Sequence, residues 1–229
     1  MNHSLKRPTK TTTTHHFKSR IKSRAMQHTI REEFRGIVVF VAVLWIVWFV
    51  DLVLPFNLTD WGVHPRTIRG LVGIPLMPFL HCGFGHILGN SIPLAILLAL
   101  LAGSRANSWH VVVELILLGG GLLWCFGRSG AIHVGASGLI YGLIAFLIVA
   151  GLLEKRLVPL GVAILVGFLY GTTLVFGVLP SFNHQVSWDG HLFGAIGGAI
   201  VAYANTRRSA PQVLPTQENE FSVNPKFSV

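Results

Sequence analysis

Six runs of close to 20 residues, almost free of charge, occupy most of this chain: 36–54, 84–103, 109–127, 134–153, 157–179 and 187–205. An α-helix needs about 20 apolar residues to cross ~30 Å of hydrocarbon. A backbone inside lipid must also satisfy its own hydrogen bonds, which leaves helices or closed barrels as the spanning forms. Runs of this length match helical spans. The chain therefore reads as an all-α membrane protein, a bundle of six transmembrane helices. Charged residues are only 12% of the chain, against about 25% in soluble domains, and the gaps between runs leave almost no room for a soluble domain.

The charge that exists is unevenly placed. Nine of the eighteen Lys and Arg residues precede Gly36; Arg105, Lys155 and Arg156 lie in the second and fourth gaps between runs, and Arg207, Arg208 and Lys226 follow the last run. If the six spans alternate, all of these fall on one side, which the positive-inside rule makes the cytoplasm, with both termini there. Residues 1–35 then read as a basic, disordered cytoplasmic arm and 206–229 as a disordered cytoplasmic tail, flanking a membrane domain over 36–205. The arm lacks the apolar core that follows the basic start of a signal peptide. The net charge of +9 is thus expected to meet membrane lipids at the inner leaflet, with no role for nucleic acid. Cys82 and Cys125 have no metal-like spacing and read as small buried hydrophobes. No metal or cofactor is expected.

Polar side chains inside hydrocarbon cost several kcal/mol unless they face the bundle interior, so they mark candidate sites. Here they are His86 and Asn90 in the second run, Glu114 in the third, Ser137 in the fourth, Thr172 and Thr173 in the fifth, and Asp189 and His191 in the sixth. The second, fourth and sixth runs all descend from the outer side. His86, Asn90, Ser137 and His191 come within about two turns of the start of each, so at 1.5 Å per residue they share a depth. His86 and Asn90 also share a helix face. Gly190, Gly194, Gly198 and Ala202 recur every fourth residue in the sixth run, and Gly138, Gly142 and Ala145 make a similar stripe in the fourth. Such stripes let membrane helices approach closely, which predicts that Ser137 and His191 meet.

The stretch "GRSGAIHVGASG" holds Gly-x-Ser-Gly twice. Ser129 precedes the apolar run and has no partners at its level, whereas Ser137 begins the run. Neither has glycine two places after it, unlike the nucleophile elbow of soluble lipases. A serine hydroxyl needs a neighbouring base, and His191 is the candidate. Asp189, two residues away and so about 200° around the helix, points elsewhere and reads as a cap or loop ligand. Glu114 reads as an interface residue or a partner for Arg105, His133 and His184 as loop residues, and Thr172 and Thr173 as bonded back to their own helix.

"GHILGN", "GASG" with Tyr141 four residues after the serine, and "GHLFGAIGG" fall in that order on the second, fourth and sixth runs. In this the chain resembles the rhomboid intramembrane serine proteases, over essentially residues 36–205. The resemblance implies a six-helix rhomboid-type bundle and a Ser-His dyad with Ser137 as nucleophile and His191 as general base. It also implies an oxyanion hole from the Ser137 N–H, His86 and Asn90, with Tyr141 stacked on His191 and Gly135, Gly138, Gly194 and Gly198 in support. His81, five residues before His86, matches a family position of structural role; it would lie about 140° from His86 on a continuous helix, and so outside the site. Many relatives carry an adjacent Trp-Arg pair in the first outer loop, whereas here Trp61, Arg66 and Arg69 are scattered.

The function so implied is an intramembrane serine endopeptidase cutting single-pass membrane proteins in or near their transmembrane segments, located in the cell membrane. The fifth span and the loop "PSFNHQVSWDG" would form its lid. The alternatives are a catalytically silent relative that binds membrane helices, and a solute or proton transporter, for which polar residues near the midplane of the odd-numbered spans would be expected.

Overall fold

The computed structural model describes residues 11–105, 108–180 and 187–208, with side chains from residue 31 onward. Within these lie α1 (Thr11–Val53), α2 (Ile68–Leu76), α3 (Phe84–Ser104), α4 (Ser108–Phe126), α5 (Ser137–Glu154), α6 (Leu157–Gly177) and α7 (Trp188–Arg208). The β-type pairing among the described residues is a single bridge between Val63 and His133.

Among the described residues, five helical segments are long and apolar enough to cross a membrane: Arg31–Val53 of α1, then α3, α4, α5 and α6. The sixth expected span is α7, whose 21 residues extend about 31 Å. It falls short in hydropathy, because it is rich in glycine and alanine and carries Asp189, His191, Arg207 and Arg208. Helix also reaches into both edges that the composition marks for disorder. The basic arm is helical from Thr11, continuous with the first span; no proline or glycine lies between Pro8 and Gly36 to stop a helix that the span has already nucleated. Likewise α7 runs on to Arg208. Residues 1–10 of the arm and 209–229 of the tail lie outside the described residues, as do His184 and residues 181–186 of the loop assigned to the lid.

Around α5 the other helices gather. It is buried at every position from Gly138 to Leu147, as expected of a helix apolar on all sides. Its largest interface is with α7, and glycine makes that interface possible. A Cβ on Gly194 would overlap the Gly138 carbonyl oxygen, and one on Gly198 would overlap that of Gly142. On its other side α7 meets α4, where a Cβ on Gly197 would lie 3.0 Å from the Gly119 nitrogen.

The segment between α1 and α3 folds as a small unit on one end of the bundle. Val63 and His133 exchange two backbone hydrogen bonds of 2.9 Å, and the Arg66 N–H donates to the Trp124 carbonyl at 2.9 Å. The Arg66 guanidinium donates to the Cys125 and Gly127 carbonyls at 3.1 and 2.8 Å, and also to Ser129 Oγ. These bonds occupy carbonyls that the end of α4 leaves without helical partners. Trp61 and Arg69, separated in sequence, come together with the guanidinium 5.2 Å from the indole centroid.

At the opposite end, Arg105 pairs with Glu154. Glu114 therefore takes other partners: it accepts from Asn205 Nδ2 at 2.8 Å and lies 3.7 Å from Arg208 Nη1. The cysteines also differ from expectation. Both are free and exposed, Cys82 in the turn before α3 and Cys125 in the last turn of α4.

Candidate active site

α3 starts after Gly83, placing His86 in its first turn and Asn90 one turn further along the same face. The chain reaches α5 through Gly135, whose φ of +108° is open at low cost only to glycine. The Gly135 N–H donates to the Met77 carbonyl at 2.9 Å. A side chain here would be strained and would also collide, its Cβ lying 2.6 Å from His86 Nε2 and 3.4 Å from Asn90 Nδ2. Ser137 is the first residue of α5. Gly135 thus brings the start of α5 directly against the two polar side chains of α3.

His191 lies in the first turn of α7. Its ring stacks on Tyr141, with centroids 4.1 Å apart and planes 3° from parallel. Nδ1 lies 2.9 Å from the Gly177 carbonyl oxygen. A carbonyl only accepts, so Nδ1 carries the proton, and in the neutral ring Nε2 keeps a free lone pair. Tyr141 is fixed in turn by its hydroxyl, which donates to the Thr173 carbonyl at 3.0 Å. The end of α6 thereby orients both rings through two backbone carbonyls. Gly177 must be glycine for this, since a Cβ there would overlap the Tyr141 hydroxyl oxygen.

Ser137, His191, His86 and Asn90 line one cavity of about 660 Å³, together with Cys82, Arg128, His133 and Ser187 among others. Asn90 is buried, and its Nδ2 has no hydrogen-bond partner among the described residues. A buried amide donor left unpaired costs about 1–3 kcal/mol. Its retention beside an open cavity suits a donor reserved for a ligand atom.

The candidate residues Ser137, His191, His86, Asn90, Tyr141 and Gly135 are therefore brought to one place, with Gly138, Gly194 and Gly198 in the α5–α7 contact behind them. Ser129 is exposed and held by Arg66. Asp189 accepts from Arg128. His81 lies closer to the site than the helical angle predicts. Because α3 starts only at Phe84, that angle does not apply; the His81 ring is buried edge-on to His86 at 5.0 Å, and its Nε2 accepts from the Ala136 N–H at 3.4 Å. Desolvation first, and the neighbouring His86 second, push the His81 pKa down to about 4. Burial likewise lowers that of His133, against the opposing pull of Asp189. The carbonyls of Thr173 and Gly177 carry no side-chain signature and escape a reading of the sequence; the one signal pointing to them is glycine at 177.

Helices of membrane-spanning length packed around one another define an integral, multi-pass membrane protein, and serine, histidine and asparagine gather at one of its cavities. The family model of the rhomboid domain matches residues 69–208. "Uncharacterized protein Rv1337" of Mycobacterium tuberculosis (strain H37Rv) is 37% identical over 176 residues, covering 73% of this chain and 72% of that protein. "Uncharacterized protein ML1171" of Mycobacterium leprae is also 37% identical over 176 residues, covering 73% of this chain and 69% of that protein. A Bacillus subtilis protein named "Putative rhomboid protease YdcA" is 29% identical over 130 residues, 54% of this chain and 62% of that protein. No solved structure matches the chain. The chain belongs to the rhomboid family.

Proposed function

We propose that the protein is an intramembrane serine endopeptidase that hydrolyses peptide bonds in or near the transmembrane segments of single-pass membrane proteins. The observation that carries this reading is the shared cavity of Ser137, His191, His86 and Asn90, in which the proton on His191 Nδ1 leaves Nε2 free to act as a base. α7 acts as the sixth span, with both termini in the cytoplasm and the cavity opening near the outer face of the cell membrane.

In the proposed reaction His191 Nε2 takes the hydroxyl proton as Ser137 Oγ attacks the substrate carbonyl carbon. The carbonyl oxygen becomes an oxyanion, received by the Ser137 N–H, His86 and Asn90 Nδ2. Collapse of this intermediate breaks the C–N bond, and the proton on His191 passes to the leaving amine. Water then attacks the acyl-enzyme by the same route, with His191 again as base, releasing the acid and restoring Ser137. Donors fixed in place before the reaction contribute most in a site shielded from bulk water. The burial of Asn90 and the contact of Gly135 with His86 favour such fixity. The retained serine and histidine favour this reading over that of a silent helix binder.

The decisive experiment is cleavage of a fluorescent single-pass substrate in proteoliposomes. Ser137→Ala and His191→Ala should each reduce turnover by at least about 10³-fold, and Ser129→Ala should leave it within about twofold. Activity surviving Ser137→Ala overturns the assignment.

A further inference from the structure

Along one wall of the cavity the first turn of α7 is tied to the α4–α5 loop by a second polar cluster. Asp189, 1% exposed, accepts from the Arg128 backbone N–H at 3.0 Å and from the same residue's Nε and Nη2 at 3.3 and 3.1 Å. His133 Nδ1 lies 2.7 Å from Ser187 Oγ, whereas its Nε2, 3.6 Å from Asp189 Oδ2, has no hydrogen-bond partner among the described residues. Ser187 Oγ accepts from the Gly190 N–H at 3.2 Å and lies 3.4 Å from Asp189 Oδ1. The Arg128 guanidinium also covers the Trp188 ring at 5.2 Å.

Serine, histidine and aspartate in contact have the composition of a catalytic triad, but the bonding fits a fastener. Ser187 caps α7 by accepting from the Gly190 N–H, the usual work of a serine just before a helix. Asp189 is committed to a forked guanidinium and a backbone N–H, a strong and directional set. The Arg128–Asp189 and His133–Ser187 contacts both run between two short pieces of chain, 127–137 and 187–191. The first carries Gly135 and Ser137, and the second carries His191.

We propose that Asp189, through Arg128, is a positioning residue that fixes the first turn of α7 against the α4–α5 loop and so sets the placement of His191 relative to Ser137. This rests on the dyad reading above. The glycine contacts set the distance between α5 and α7, but a face of small residues has few side chains to oppose sliding or rotation. The Asp189–Arg128 fork supplies that restraint on the turn that carries His191. Small misplacements of reacting groups are costly: about 1 Å can cost a hundredfold in rate.

The test uses the full chain in proteoliposomes. kcat and KM are measured for wild type, Asp189→Ala, Asp189→Asn and Arg128→Lys, and for Arg128→Asp and Asp189→Arg singly and as an exchanged pair. Asp189→Ala is expected to lower kcat by about 10- to 100-fold with KM within about twofold. Arg128→Lys, which keeps the charge and loses the fork, should fall between it and wild type. The exchanged pair should recover at least about fivefold over either of its single changes. A kcat unchanged in Asp189→Ala, a loss confined to KM, or no recovery in the exchanged pair overturns the proposal. Hydrogen exchange of 127–136 and 188–194 gives a readout independent of activity: both segments should exchange faster together in Asp189→Asn, and unchanged exchange overturns the fastener. If wild type shows no Ser137-dependent cleavage, the dyad reading fails, while the exchange data still decide whether the two segments are coupled.

Discussion

Asn90 and Gly135 are the residues on which the proposed chemistry turns. Asn90, with its unpaired Nδ2, lines the same cavity as Ser137, so Asn90→Ala should lower kcat by about 10²-fold with little change in KM, measured on the reconstituted substrate. Gly135 matters for a different reason: its left-handed φ and its contact with His86 leave no room for a side chain. Ser137, His191, His86 and Asn90 were legible in the sequence because polar side chains in apolar runs stand out. His81 was not, because the angle that sets it apart from His86 holds only on a helix running through both, and α3 begins at Phe84.

Between elements, the α5–α7 interface sets the geometry behind the proposed dyad. Gly194→Val would press a side chain onto the Gly138 carbonyl. It should destabilise the detergent-solubilised protein by roughly 1–3 kcal/mol or more, read as a lowered Tm. Gly121→Ala in α4 serves as the contrast, because a Cβ there meets nothing within 4 Å. It should hold or raise Tm, alanine being favoured over glycine inside a helix by about 0.5–1 kcal/mol. The small-residue stripes announced this contact in the sequence, since a repeat every fourth residue marks one helix face. The first-loop unit was far less legible. Its bonds run from Arg66 to the end of α4 and from Val63 to His133, joining backbone groups distant in sequence that no spacing pattern relates.

For the whole molecule, the buried histidines outside the spans contribute to the response to acid. The His81 pKa is about 4 in the fold, against an ordinary value of 6.5, chiefly through desolvation. Between those values the unfolded chain binds a proton that the folded chain refuses, so stability rises with pH across that window. The contribution is complete above pH 6.5 and declines as pH falls toward 4, by about 3 kcal/mol for this one residue. His133, lowered in the same sense, adds to the decline. Denaturant titrations in detergent between pH 4 and 8 should show this slope, and His81→Gln should flatten it. Membrane residence, the helical class and the short set of polar candidates follow from the sequence alone, because apolar runs of about 20 residues match the length of a helical span and hydrocarbon penalises each buried polar group separately. Which nitrogen of His191 is free, why residues 135 and 177 must be glycine, and how Asp189 is employed waited on the folded chain. Those outcomes depend on the meeting of carbonyls, glycine backbones and rings from different helices, and a one-dimensional pattern does not record where backbone atoms of separate elements come to lie.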